Sequence, residues 1–194
     1  MFDKIDERWQ SYNKELDKVD TTNIYEAVRT GYIERTVSGN GGVAVNEIRL
    51  LGNVNDLSVI EIGGGYGGYC EEFHKGRNVK DYTIVDTKSM LRFAKEYLKA
   101  KGINCTFLDT EEELPDREYD LLISNVCISE IPEDHAKEVL TKLFKQVKQV
   151  AIIDVDMRWL DNLIRSNFDI ISKAPCPECL QGKHFIYKAN KLTD

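Results

Sequence analysis

The stretch "VIEIGGGYGGYC", Val59 to Cys70, sets five glycines into six positions directly behind an apolar run. Glycine lacks a Cβ, so such a cluster admits positive φ and close approach to the main chain, at an entropic cost that a strand or helix interior does not favour. The run therefore reads as a strand, Ser58 to Ile62, that opens into a binding loop. What the loop binds depends on the residues around it.

Outward from this loop the chain alternates short β-branched runs with longer amphipathic stretches. Further strands are expected at "DYTIVD" (81–86), "NCTFLD" (104–109), "YDLLISN" (119–125), "QVAIIDV" (149–155), "FDIISK" (168–173) and "KHFIYKA" (183–189). Short apolar runs bounded by polar turns are the mark of buried parallel strands. Between the first five strands lie helical patterns. "SMLRFAKEYLKAKG" carries Met90, Leu91, Ala94 and Leu98 near helical spacing and stops at Gly102, and "EDHAKEVLTKLFKQV" follows Pro132. Only "APCPECLQGK" separates the last two strands, too little for a helical crossover, so an antiparallel pairing is expected. The fold class is α/β: a Rossmann-like, seven-stranded, mostly parallel sheet with an antiparallel last strand. Its ligand belongs at the carboxyl ends of the strands, near the point where the strand order reverses.

Residues 1–56 are more polar and form an expected helical cap or lid, with helices over 4–19 and 23–37 and a glycine hinge at "SGNGG" (38–42); residues 57–194 form the core. The 194 residues, 22.2 kDa, suit one hydrophobic core. No apolar stretch reads as a secretory signal or a membrane span, and five scattered cysteines fit reduced thiols, so a cytoplasmic location is expected. A net charge of -7 opposes general affinity for nucleic acid or an anionic membrane. The expected partner is a small-molecule acceptor, and oligomeric state is not legible.

The loop fits G-x-G-x-x-G through Gly63, Gly65 and Gly68, and E-x-G-x-G-x-G through Glu61, Gly63, Gly65 and Gly67. A dinucleotide places its pyrophosphate at the following helix, where a carboxylate at Glu61 is unwelcome. S-adenosyl-L-methionine carries a sulfonium and an ammonium instead, and the same carboxylate suits it. Asp86 closes the second strand roughly 20 residues beyond the glycines, the distance at which an acid holds ribose hydroxyls. Asp109, ending the third strand, is placed to accept an adenine amino group. Tyr66, inside the loop, either lines the donor pocket or packs on the helix behind it.

With "VIEIGGGYGG", "TIVD", "FLD" and "YDLLISNVCISEIP" in this order over about 54–189, the chain resembles the class I S-adenosylmethionine-dependent methyltransferases. More narrowly, "EIGGGYGG", "YTIVD" and "SNVCISEIP" resemble the sugar O-methyltransferases of bacterial surface-polysaccharide clusters. That resemblance implies methylation of a sugar or of a nucleotide-linked precursor, with S-adenosyl-L-methionine held by Glu61, Gly63, Gly65, Tyr66, Gly67, Asp86, Asp109 and Asn125. Ser124 and Asn125 would border the methionine part. Glu130 is implied as base or orienting group by the Ser129-Glu130 pair, and His135 competes because an imidazole's ordinary pKa suits proton transfer near neutrality. Other small acceptors, a phosphate-type oxygen or an amine, and a non-catalytic cofactor-binding module are the alternatives.

Two metal readings are weaker. Cys176 and Cys179 in "CPEC" have zinc-ligand spacing, with His184 nearby, but one pair is short of a site. Asp154 and Asp156 are a distant possibility for magnesium beside a sugar diol. No metal is expected among the site residues.

Overall fold

A computed structural model describes Lys14, Asp17 and residues 55–75, 77–175 and 184–192. The expected helical cap over 1–56, the glycine hinge and the Cys176/Cys179 pair lie almost wholly outside the described residues. All seven expected strands are present: β1 (Leu57–Ile62), β2 (Val79–Asp86), β3 (Thr106–Asp109), β4 (Tyr119–Asn125), β5 (Val147–Val155), β6 (Phe168–Pro175) and β7 (His184–Lys191). They form one sheet in the order β3-β2-β1-β4-β5-β7-β6. The first five are parallel to one another, and β7 lies antiparallel between β5 and β6. The chain begins at the sheet's centre, runs out to β3 and returns to the other side of β1. That reversal leaves a crevice at the carboxyl ends of β1 and β4.

The helices are α1 (Gly68–His74), α2 (Lys88–Ala100), α3 (Glu133–Gln146) and α4 (Arg158–Arg165). Alternate residues of the central strands feed two apolar layers. On one face Val59, Ile84, Leu121 and Ile123 pack with Phe73 of α1 and Leu91, Phe93 and Leu98 of α2. On the other, Ile60, Ile62, Leu122 and Ile152 pack with Val139, Leu143 and Phe144 of α3 and Leu160 and Ile164 of α4. Each fully buried aliphatic side chain contributes about 1.5–3 kcal/mol by transfer from water.

The boundaries follow local chemistry. Thr87 caps α2 by accepting the Met90 N–H at 3.4 Å. The helix stops where Gly102, φ +69, lets its N–H reach the Lys99 carbonyl and the Ile103 N–H reach the Leu98 carbonyl, a pairing that satisfies the last carbonyls of the helix. Helix α3 passes straight into β5, so Val147 begins a strand rather than ending a helix. The helix expected behind the loop is α1, only 7 residues long and begun on a glycine, and the sequence pattern did not show α4, only 8 residues long. Among the described residues no helix is long and apolar enough to cross a membrane.

Candidate functional site

The glycine loop leaves β1 at Ile62, and three of its residues take positive φ: Gly63 (+74), Gly65 (+56) and Gly67 (+93). The loop is bare for two different reasons. A Cβ on Gly63 would lie 2.5 Å from Cys127 Sγ, one on Gly64 2.5 Å from Ile84, and one on Gly67 2.7 Å from Leu98. One on Gly68 would run into the Tyr66 hydroxyl. These four glycines are required by the chain's own packing. At Gly65 a Cβ would meet, among the described residues, nothing nearer than Met90 Cε at 3.9 Å, an ordinary contact, so this position alone among the five leaves room for a side chain.

The Gly65 N–H donates to Asp86 Oδ2 at 2.8 Å, and the Thr87 N–H donates to Oδ1 at 2.7 Å. A carboxylate has about four lone-pair directions, so two remain for a ligand's hydroxyls. Burial pushes the Asp86 carboxyl up to about 6, against the two backbone N–H groups that lower it. Asp109 sits beside it in register at the end of β3. One of its oxygens accepts the Glu111 N–H at 3.1 Å and the Thr110 hydroxyl at 3.3 Å, which shapes the turn after the strand.

Two expected cofactor residues are placed differently. Glu61 is 2% exposed beneath the loop, where its Oε2 accepts the Tyr82 hydroxyl at 2.9 Å. Burial pushes its carboxyl up to about 8, with Asp86 adding to the rise and the Tyr82 bond opposing it, so it holds its proton at neutral pH. The open anion expected to welcome a sulfonium is therefore absent from this position, and the electrostatic case against a dinucleotide does not rest on Glu61. Tyr66 turns its ring into the apolar layer, edge-on to Tyr97 with centroids 5.1 Å apart, instead of lining a donor pocket. Desolvation and nearby Glu71 push its phenol up to about 12.

Across the crevice, Ser124 and Asn125 end β4, the first fully buried and the second partly so. The chain then turns at Val126 into a 3-10 turn, Ile128–Glu130, before α3. Cys127 lies against Gly63 and so joins the two walls. Burial, followed by the nearby carboxyls of Asp86, Glu130, Asp154 and Glu61, holds its thiol well above the ordinary range, which makes it a poor nucleophile. The same influences show that four carboxyl groups from β1, β2, β5 and the 3-10 turn converge on this end of the sheet. His135 follows in the first turn of α3, half-buried.

The aspartates considered for magnesium serve other partners. Asp154 accepts two backbone N–H groups, and Asp156 receives the Lys173 ammonium at 2.9 Å. Among the described residues no group of three His, Cys, Asp or Glu side chains is arranged to hold a metal. Sequence reasoning missed the role of Cys127 and the real partner of Glu61. Only the facing pairs Gly63–Cys127 and Glu61–Tyr82 reveal these, and they are separated by 64 and 21 residues.

Residues 59–150 match the family model described as "Methyltransferase domain". No curated protein matches the chain. Among solved structures, the N-methyltransferase NodS from Bradyrhizobium japonicum WM9, in complex with S-adenosyl-L-homocysteine, superposes with a TM-score of 0.71 at 12% identity, covering 96% of this chain and 99% of that one. An S-adenosylmethionine-dependent methyltransferase from Clostridium acetobutylicum ATCC 824 gives 0.67 at 11% identity, over 89% of this chain and 99% of that one. The magnesium protoporphyrin IX methyltransferase of Synechocystis PCC 6803, with bound S-adenosylmethionine, gives 0.63 at 15% identity, over 95% and 91%. At these identities the likeness establishes the fold. The family model adds a likeness to methyltransferase domains over residues 59–150, just under half of the chain.

Proposed function

We propose that this chain, which carries an S-adenosyl-L-methionine-dependent methyltransferase domain over residues 59–150, methylates a hydroxyl of a small sugar acceptor, with Glu130 as the group that orients the hydroxyl and takes its proton. The observation that carries the donor half is the Gly65–Asp86 pair: one open backbone position joined at 2.8 Å to a carboxylate with acceptor capacity to spare. When bound, S-adenosyl-L-methionine supplies an electrophilic methyl group on a sulfonium. Asp86 holds the ribose hydroxyls in this reading, and Gly65 offers its backbone. Asp109 keeps one oxygen free for the adenine edge, and Asn125 borders the methionine part.

Methyl transfer is an in-line displacement, so holding the acceptor in a near-attack geometry supplies most of the acceleration. Glu130 sits beyond β4, within electrostatic range of the Cys127 thiol that abuts Gly63, and this links the acceptor side to the donor loop. Its carboxylate suits a neutral hydroxyl. The sugar assignment is supported by the "SNVCISEIP" resemblance alone.

An amine acceptor is the second reading. The carboxyls of Asp86, Asp154 and Glu130 near Cys127 favour a cation over a phosphate-bearing precursor, because like charges at close range disfavour binding. The test is transfer of a labelled methyl group from S-adenosyl-L-methionine to panels of free sugars, nucleoside-diphosphate sugars and amines. The sugar reading predicts turnover on a sugar that falls at least tenfold in Glu130→Gln while affinity for S-adenosyl-L-homocysteine is retained. Turnover confined to amines would replace it.

A further inference from the structure

Asp154, on β5, is fully buried. A carboxyl in such a place is costly unless it is hydrogen-bonded. Its Oδ1 accepts the N–H of the next residue, Val155, at 2.8 Å, and its Oδ2 reaches across to the Ser129 N–H at 3.0 Å. Ser129 is the middle residue of the 3-10 turn that ends at Glu130. The other end of the same segment is also tied to β5, since the Val126 N–H donates to the Ile153 carbonyl at 2.7 Å. Val126 has a φ of +49, a left-handed conformation that costs a β-branched residue on the order of 1–2 kcal/mol. A plain connection between β4 and α3 needs neither a strained valine nor a buried carboxyl. The first belongs to the five residues that deliver Glu130, and the second is bonded to them from β5.

We propose that Asp154 is a positioning residue: through the Ser129 N–H it clamps the Val126–Glu130 turn to β5 and so fixes Glu130 at the acceptor side of the crevice. The proposal rests on the reading of Glu130 given above. The turn is preorganised in this account, and the strain at Val126 is held by bonds to β5 at both ends. Asp154 touches no reacting atom; its effect passes through the backbone of residues 129 and 130.

The experiment uses the full chain and Asp154→Asn, an isosteric change that removes the anionic acceptor. Amide hydrogen exchange at Ser129 should accelerate at least tenfold, affinity for S-adenosyl-L-homocysteine should stay within about threefold, and kcat on the sugar identified by the methyl-transfer screen should fall at least tenfold with KM for S-adenosyl-L-methionine unchanged. Unchanged exchange at Ser129, unchanged kcat, or a parallel loss of S-adenosyl-L-homocysteine affinity overturns the proposal. Should the variant fail to fold, native exchange decides: a Ser129 amide exchanging at the rate of an unstructured chain overturns the clamp, and protection of at least a hundredfold supports it. Failure of the underlying reading shows separately, as full turnover in Glu130→Gln.

Discussion

The two walls of the crevice are built on the same device and use it differently. On the donor wall Asp86, at the end of β2, accepts one N–H from its own successor, Thr87, and one from a remote loop at Gly65. On the acceptor wall Asp154, near the end of β5, accepts one from Val155 and one from a remote turn at Ser129. The first carboxyl is only partly buried, and the loop it ties has an open backbone position at Gly65. The second is fully enclosed and ties a turn held in a strained conformation. In the proposed reading, a strand-end carboxylate that ties a loop serves as a ligand group when it stays accessible and as scaffold when it does not.

Substitutions within the glycine loop test the donor half of this comparison most severely. Gly67→Ala combines a positive φ with a clash against Leu98, so a loss of about 3 kcal/mol of stability is expected, measurable by urea unfolding. Gly65→Ala meets no clash and should cost only about 1 kcal/mol, from backbone conformation alone. Its larger effect should fall on S-adenosyl-L-homocysteine affinity. Equal stability losses in the two variants would remove the distinction between packing glycines and the open one.

A pH measurement sharpens the same wall. Glu61 and Asp86 both have folded-state pKa values raised, from 4.5 to about 8 and from 3.8 to about 6. In each case the native state holds its proton while the unfolded chain has lost it, so stability falls as pH rises through the window between the two values. Between pH 6 and 8 only Glu61 of this pair still contributes, with a slope of up to about 1.4 kcal/mol per pH unit. Glu61→Gln should flatten the unfolding free energy over that interval, and an unchanged slope would place the proton elsewhere. Ligand affinity reports on Asp86 instead: it should weaken as pH drops below about 6, where that carboxyl protonates.

The fold was legible because its signals are local. Periodicity located all seven strands, the short connection before β7 foretold its antiparallel pairing, and Gly102 marked the end of α2. The place of Asp86 at the end of β2, beside the glycine loop, was legible for the same reason, since its distance from the glycines along the chain is fixed by one strand-helix-strand unit. The buried placement of Glu61 was not legible because its position at a strand end marks nearness to the crevice and not the partner its side chain meets, and for Tyr66 the sequence left lining and packing both open. Glu61 shares its face with Val59 and points into the layer under the loop, where Tyr82 meets it. The role of Asp154 was not legible because no local pattern reveals a hydrogen bond to a turn 25 residues earlier in the chain.

Calorimetric titration with S-adenosyl-L-homocysteine, of the native chain beside Asp86→Ala, tests the central claim most directly. The account predicts a dissociation constant of about micromolar order for the native chain, weakened at least a hundredfold by the substitution, a difference of about 2.7 kcal/mol. No binding by the native chain, or undiminished binding by a folded Asp86→Ala variant, would contradict it.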